Sequence, residues 1–544
     1  MGRLTIKHRL WEMIYVAAVL HRLLGSTSEA TQPYRPELRI AESNGNVTLS
    51  WPRAAYYYAL VANTNLGGTN LWPLVATASA DFYQPFNFHY PFFLSPSAQI
   101  TTNFLDEEIT FTLPATGDQA FYGLEGPRAI PVCQFAVFYD GLLEFSTAAP
   151  MTIHGPVHAN GDIYTGTSTS LIFNRPVTTT GTISSPAWNG QGPTWADTGT
   201  FNSHPSFVTN VPPLTVLAGQ ALTNLHRMIE MPPSFEDPAS PSGWSRYYNQ
   251  AQVVVLVSNT TISARIQAAS ALNNPGSDPS PILIWTNLGP AANLKFPFLR
   301  TNSFFDARES KSVKVTEIDL GLFKGWLSTN VPVLAKFPPG SGLYPTILYI
   351  ADNRTNSSST MSAIRITNGV VTPYNGGLGF TLVTPNPLYV WGHYNNTNAA
   401  YLGTTNTSAT VPSALICDAL TILSSAWRDS ASAGSLSGRI ASSVDTINAA
   451  IITGNVPSTG SSSSQFSGGI HNLPRLLENW ASSTLWLNTS LVCFYQSTVA
   501  TNRFQNPGVY YNAPTRKFSF DPNFNNLAKL PPGTPVVGVP APGN

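Results

Sequence analysis

Residues 151–184 are written twice. Met151-Thr-Ile-His-Gly-Pro-Val-His-Ala-Asn-Gly-Asp-Ile-Tyr164 lies over Leu171-Ile-Phe-Asn-Arg-Pro-Val-Thr-Thr-Thr-Gly-Thr-Ile-Ser184 at an offset of 20 residues, with Pro156/Pro176, Val157/Val177, Gly161/Gly181 and Ile163/Ile183 in register. Short alternating runs with glycine at the corners describe one turn of a parallel β-solenoid. A coil of that length cannot bury its apolar side alone and must stack on a copy of itself. Two similar hairpins in a β-sandwich would read alike, so the discriminating expectation is parallel pairing from residue i to residue i+20.

The chain has 544 residues, enough for two to four structural units. Charged residues are 10% of it, and 45 Pro and 40 Gly with abundant Ser, Thr and Asn supply the remaining polarity. Formal net charge is zero and no Lys/Arg cluster alternates with aromatics, which removes the electrostatic case for nucleic acid or an anionic membrane. Cys133, Cys417 and Cys493 are too scattered for a metal knuckle or a disulfide framework. Buried free thiols are expected, with one bridged pair as the alternative.

At the N-terminus Lys7, His8 and Arg9 precede the apolar run Met13 to Leu20, with small residues at Gly25, Ser26 and Ala30, a layout similar to a secretory signal. His21 and Arg22 interrupt it. Residues 1–35 are therefore read as a targeting segment, against a mis-assigned start or a short amphipathic helix. The run is well short of the roughly 18 to 20 residues that span a bilayer, so no transmembrane helix is expected.

Alternation at Val47, Leu49 and Trp51, at Tyr56, Tyr58 and Leu60, and at Ile109-Thr-Phe-Thr-Leu113 predicts a small antiparallel β-sandwich over residues 36–125. The aromatic run Phe82 to Phe93 is a candidate binding face there or a loop over the sandwich edge. The solenoid is expected in two parts, 126–213 and 376–520, with a mixed α/β insertion at 214–375 and a Pro-rich extended tail at 521–544. Cys133-Gln-Phe-Ala-Val-Phe-Tyr139 and Leu142 to Phe145 flank Asp140-Gly141, a tight-hairpin signal. Leu214 to Met231, Leu320 to Leu327 and Leu473 to Trp480 read as helices. Gln252 to Val257, Thr261 to Ile266, Ser312 to Ile318 and Thr346 to Ile350 read as strands. Further rungs are expected at Pro387 to His393, Ile447 to Gly454 and Leu485 to Val492. The fold class that follows is mainly β: a small sandwich, then a right-handed parallel β-solenoid interrupted by an α/β insertion.

Two sets of phrases carry resemblances. Val47-Thr-Leu-Ser-Trp-Pro52, Thr64-Asn-Leu66 and Phe121-Tyr-Gly-Leu124 resemble a fibronectin-type-III-like module of exported proteins in Verrucomicrobia. Phe135-Ala-Val-Phe-Tyr-Asp-Gly141, His154-Gly-Pro-Val-His-Ala-Asn-Gly161, Phe305-Asp-Ala-Arg-Glu309, Asn386-Pro-Leu-Tyr-Val390, Ala449-Ala-Ile-Ile-Thr-Gly454 and Asn472-Leu-Pro-Arg-Leu-Leu-Glu-Asn-Trp480 resemble an exported verrucomicrobial family similar to PilX-type and prepilin-associated solenoid proteins. The resemblance implies an extracellular or envelope protein associated with pili. The long apolar prepilin helix of that pattern has no counterpart in Met13 to Leu20.

Candidate chemistry is sparse. Trp188 and Trp195 lie among Gly, Pro and Asn, a setting for sugar-stacking platforms or for the capped end of a core. His154, His158 and Asp162 are the ionisable residues of the coils, with exposed turn histidines as the default. The two histidines lack a carboxylate at metal-ligand spacing, so no metal site and no cofactor is assigned. Asp306-Ala-Arg308-Glu309 suits a strand-edge ion pair, and Glu230, Glu236 and Asp237 form an acidic loop able to hold a cation. No Gly-x-Ser-x-Gly, Walker-type loop or His-Glu-x-x-His occurs. The expected function is non-enzymatic: an exported surface or envelope protein that presents a rigid Ser/Thr/Asn-rich solenoid face for structure or adhesion, with cell-surface polysaccharide or envelope and pilus proteins as partners, or with further copies of itself. The alternative is a polysaccharide lyase or hydrolase on the same scaffold.

Overall fold

The computed structural model describes residues 38–43, 46–52, 59–63, 74–77, 108–114, 121–125, 130–145, 151–166, 170–184, 207–217, 222, 224–290, 292–373, 379–460, 465–504 and 508–538. The targeting segment 1–35, the run Phe82 to Phe93, and Trp188 and Trp195 lie outside the described residues. The described chain is mainly β, with parallel sheets of the solenoid kind.

Two three-stranded antiparallel sheets occupy the N-terminal module, as the alternation predicts. One is Arg39–Ser43, Asn46–Pro52 and Glu108–Pro114, the other Leu74–Thr77, Ala59–Asn63 and Phe121–Glu125.

The duplicated segment pairs as expected. Met151↔Leu171, Val157↔Val177 and Ile163↔Ile183 are parallel partners, each at the predicted offset. Three short strands per coil build three sides, and Ile153, Val157, Ile163, Phe173 and Val177 point into the buried interior. Ile183 is only half-buried, because Ile183–Ser184 is the edge strand of its sheet. Gly161 and Gly181 stand outside the strands, at half-buried corners rather than in the apolar ladder. Stacking requires glycine at both. A Cβ on Gly161 would lie 2.7 Å from the backbone of Gly141 in the coil beside it, and one on Gly181 would lie 3.0 Å from the backbone nitrogen of Asp162 and closer still to its carboxylate. Neither has a positive φ, so the corner needs the missing side chain and not the left-handed backbone. Asp140-Gly141 is also a corner and not a hairpin, but there Gly141 serves by its positive φ of 146°, with open space where a Cβ would stand. Val137–Tyr139 before it pairs in parallel with Val157–Ala159, while Leu143–Glu144 after it joins Ile163–Tyr164 in another sheet.

Chain order and stacking order differ. The main sheet, 13-stranded with Thr515–Phe520 to one side of its path, runs Val253–Val257, Ile347–Asp352, Phe380–Thr384, Ser413–Cys417, Val444–Asn455, Thr484–Gln496, and continues without a break into Val137–Tyr139, Val157–Ala159, Val177–Thr179 and Phe207–Val208. Every pairing along that path is parallel. The first coil thus sits on the last one. A second sheet, Lys311–Asp319, Thr360–Thr367, Leu388–Trp391, Leu420–Leu423 and Pro474–Leu476, repeats the parallel pattern on another side. The expected rungs at Pro387, Ile447 and Leu485 are all present. The stretch 214–375, expected as an insertion, supplies strands to these same two sheets and forms one end of the stack. Its hairpins Val253–Val257/Thr261–Ile266/Ile282–Asn287 and Leu299–Asp306/Lys311–Asp319 are antiparallel there.

A return segment makes this order possible. From Phe207–Val208 at one end, the chain runs back along the stack to Val253 at the other. Where it is described, Leu214 to Met231 is therefore not the helix expected: Thr215–Val216 is a strand and Leu225–Met228 a 3-10 turn. Its backbone groups are taken by tertiary partners: Leu214 N–H donates to Asn160 Oδ1 at 2.9 Å and Leu217 N–H to Val536 O at 3.0 Å. Likewise Pro474–Leu476 is a strand and not the start of a helix, because its register with Leu420 to Ile422 buries both apolar residues. Leu320–Thr329 is the helix expected, capped by Asp319. The tail is not merely extended. Val536–Gly538 is the central strand between Thr215–Val216 and Ile130–Pro131.

The return segment and tail cover the main sheet, so the expected open Ser/Thr/Asn face is buried. Thr381 Oγ1 donates to Pro532 O at 2.6 Å, and Tyr349 Oη to Ile229 O at 2.8 Å. Parallel sheets are stable where both faces are covered, and Ile347–Asp352, Phe380–Thr384 and Ser413–Cys417 are buried along their whole lengths. The three cysteines are free and buried, as expected.

Where the first and last coils meet, Phe138 is fully buried between Phe135 (5.3 Å between ring centroids), Phe494 (5.5 Å) and the stacked His158 (5.4 Å). Phe138→Ala is expected to lower unfolding free energy in urea by about 3 to 5 kcal/mol. A loss below about 1 kcal/mol would place that junction outside the cooperative core.

Candidate functional site

The ionisable residues of the coils form ladders at the 20-residue spacing. Asn160 Nδ2 donates to Asp140 Oδ1 at 2.7 Å, and Asp162 Oδ1 accepts from Thr182 N–H at 2.7 Å and from its hydroxyl at 2.9 Å. The bare Gly181 corner is what lets the Asp162 carboxylate reach Thr182. His154 is exposed at a corner, 3.0 Å from Asn174 Nδ2. His158, expected at an exposed turn, is fully buried, because it lies in the strand Val157–Ala159 rather than at the Gly155-Pro156 corner. Burial pulls its imidazole down to about 4, outweighing the hydrogen bond with Asn160, so it is neutral. Nε2–H donates to Asn160 Oδ1 at 2.9 Å and Nδ1 accepts from the Thr178 hydroxyl at 2.8 Å, a tautomer assigned from its partners. His154 and His158 do not converge. The acidic loop disperses too: Glu230 binds His226, Glu236 binds Arg246, and Asp237 accepts from Ala239 N–H. Among the described residues no group of His, Cys, Asp and Glu is arranged to hold a metal ion.

Asp306, Arg308 and Glu309 form a buried turn rather than an edge ion pair. Asp306 Oδ1 accepts the N–H groups of Arg308 and Glu309, both at 2.8 Å, and Oδ2 accepts the Tyr389 hydroxyl at 2.6 Å. Glu309 Oε1 accepts from Arg475 at 2.8 Å. The chain beyond Asp306 folds inward onto Arg475 of the second sheet, which alternation along one strand does not foresee.

Two further clusters have the make-up of catalytic sites. In the first, His226 of the return segment lies between two carboxylates, with Glu230 Oε1 2.6 Å from Nδ1 and Asp418 Oδ1 3.0 Å from Nε2. The Thr498 hydroxyl is 3.1 Å from Nε2, which gives the outline of a nucleophile–histidine–acid triad. The proton positions are wrong for one. Burial pulls the imidazole pKa down, but hydrogen bonds to Asp418 and Glu230 and the charges of both outweigh it and hold it above the ordinary value. Burial raises the Asp418 carboxyl, and the bond from His226 with the N–H groups of Ala500 and Thr498 brings it below the usual range. With a carboxylate oxygen facing each ring nitrogen, Nε2 is already engaged by Asp418 and is not free to take a proton from Thr498, as a general base must. The arrangement is a clasp that fixes the return segment to the stack.

In the second, Asp445 and Glu478 are both buried on neighbouring turns. Glu478 accepts from Ser424 N–H at 2.6 Å and from the Ser424 hydroxyl at 2.7 Å, while Asp445 accepts from Ser425 Oγ at 2.6 Å and from Ser442 Oγ. His393 Nδ1 is 3.9 Å from Asp445 and accepts Thr446 N–H. Burial pushes Glu478 up to about 7 against the Ser424 hydrogen bonds, with Asp445 adding to the rise; burial raises Asp445 as well. Raised carboxyls of this kind suit acid catalysis. Both are sealed from solvent, however, and their oxygens face protein donors.

Sequence reading passed over His226, Asp418, Asp445 and Glu478. Their signal was position: in a chain with so little charge, an acid inside an apolar run, as in Leu415-Ile-Cys-Asp418-Ala-Leu420, marks a buried brace.

No protein-family description, curated protein or solved structure matches this chain. Among the described residues no helix is long and apolar enough to cross a membrane.

Two titrations follow. A raised folded-state imidazole gives stability that is complete below the unfolded value, about 6.5, and is lost as pH rises through the folded value. His226 should therefore titrate above 6.5 by NMR, with protection of the return segment falling over that range; an apparent value below 6.5 would contradict the clasp. Glu478 has the same sign: its stabilising contribution is complete below about 4.5 and lost as pH rises through about 7. Glu478→Gln should be more stable than wild type at pH 8 by on the order of 2 kcal/mol and lose that advantage at about pH 4. A difference independent of pH counts against the assignment.

Proposed function

We propose that this chain is a non-enzymatic structural or adhesion protein of the cell surface or envelope. The observation that carries the reading is how the buried acids are used. Among the described residues Glu144, Asp306, Glu309, Asp352, Asp418, Asp445, Glu478 and Asp521 are all buried, and each accepts from nearby hydroxyl, amide, guanidinium or imidazole donors. Such groups hold turns of the stack in register, and their oxygens are turned to protein donors rather than to the open groove that polysaccharide hydrolysis requires. Its exterior, poor in charge and rich in hydroxyl and amide groups, fits neutral partners such as cell-surface polysaccharide. The resemblance of its phrases to pilus-associated solenoid proteins supports export and the envelope as the place of action.

The test is incubation of the purified protein with cell-surface polysaccharides. Retention on the polysaccharide without new reducing ends or unsaturated products is expected. Sustained product release that disappears in Asp445→Asn or Glu478→Gln, with folding intact by circular dichroism, would replace this reading with an enzymatic one.

A further inference from the structure

Of the two end strands of the main sheet, Phe207–Val208 and Ile282–Asn287, the longer one has an open edge. Ile282–Asn287 pairs antiparallel with Thr261–Ile266, and among the described residues no strand lies on its other side. The hydrogen-bond parity of that edge follows from its neighbours. Leu288 N–H donates to Thr260 O at 2.7 Å, so Thr260 and Leu288 are a hydrogen-bonded pair. Alternation then assigns Ile262/Thr286, Ala264/Ile284 and Ile266/Ile282 the same role. Consistent with this, Ser258 N–H donates to Thr261 O and Gln267 N–H to Gln252 O, which turns the odd-numbered groups of the inner strand toward Val253–Val257. The N–H and C=O groups of Leu283, Trp285 and Asn287 therefore point outward from the sheet edge. Lys295 Nζ donates to Trp285 O at 2.9 Å, as an outward carbonyl permits.

The side chains of this strand match its bare backbone. It carries no charge, and Leu283 and Trp285, on one face, are 69% and 62% exposed. Uncharged, apolar edges of this length are templates for strand pairing, and proteins that avoid pairing place charges on them. Here one lysine, reaching in from the helix Ala292–Lys295, occupies one carbonyl.

We infer that this edge joins two copies of the chain, Ile282–Asn287 against its own equivalent, antiparallel about a two-fold axis at Ile284. Self-pairing fits because outward groups must meet outward groups. With the axis at Ile284, Leu283 faces the partner subunit's Trp285 and Trp285 faces the partner subunit's Leu283, both as hydrogen-bonded pairs. Each apolar side chain then meets another on the same face. An axis at Trp285 keeps the parity but sets Leu283 against an asparagine amide. The antiparallel order at this end of the sheet continues across the axis, and no like charges meet there. Lys295 swings from Trp285 O into solvent. The two-fold closes the open edge on itself, so the product is a dimer and not a fibre.

Sedimentation of the full chain at micromolar concentration should give twice the chain mass, and Trp285→Lys the mass of one chain. Under oxidation Ile284→Cys should form a disulfide-linked dimer, because residues of a non-hydrogen-bonded pair on the axis have Cα atoms about 4.5 Å apart, whereas Leu283→Cys should not. The native cysteines are buried and do not compete. A chain that stays monomeric at every concentration overturns the inference. So does a dimer that is indifferent to Trp285→Lys and uncrosslinked by Ile284→Cys, or a monomer whose edge instead takes up an unrelated peptide strand.

Discussion

The parallel pairing of Thr484–Gln496 with Val137–Tyr139 is the contact on which the molecule depends. Leu491 N–H donates to Ala136 O at 2.9 Å, Asp140 N–H to Cys493 O at 2.8 Å, and the Ser490 hydroxyl to Phe135 O across 355 residues of chain. Without it there would be two shorter stacks, each ending in an unpaired strand. With it, one ladder of backbone bonds runs the length of the main sheet. The separation in sequence is less costly than it looks, since loop-closure entropy grows only by about 0.6 kcal/mol for each doubling of length. Its consequence is kinetic: a pairing between residues so far apart in the chain is slow to form.

The buried ionisable groups follow from that geometry. Wherever turns of the stack meet, backbone groups outside the strands need partners, and short side chains provide them. Glu144 illustrates this at the junction: its carboxylate accepts from the Ser458 and Ser467 hydroxyls, which ties both residues to the first coil. Removing water from a carboxylate is expensive, and the donors recover that cost only in one register. The acids thus make alternative registers unfavourable, which an all-apolar stack would not.

Covering both faces of the main sheet has a further effect. The return segment and the tail protect the parallel strands, so the sheet meets solvent chiefly at its antiparallel end, where Leu283 and Trp285 stand exposed. Among the described strands of this sheet, that edge rather than a broad flat face is what stands open to contact.

From the sequence alone, the coil and its register were determined. Two segments with the same apolar, proline and glycine positions can bury those positions together in parallel at their own spacing, and Val157 does pair with Val177 in that way rather than in the similar hairpins of a β-sandwich. The helix at Leu320, the paired strands at Val253 and Thr261, and the later rungs were legible for the same reason, as local periodicity. What local periodicity does not encode is which coil lies on which. The stacking of the last coil beneath the first, the strand Thr215–Val216 within a stretch of helical pattern, the burial of His158 and the pairing of His226 with Asp418 were decided by tertiary structure. Each arises from hydrogen bonds and packing between residues far apart in the chain, and such contacts leave no periodic trace in either partner.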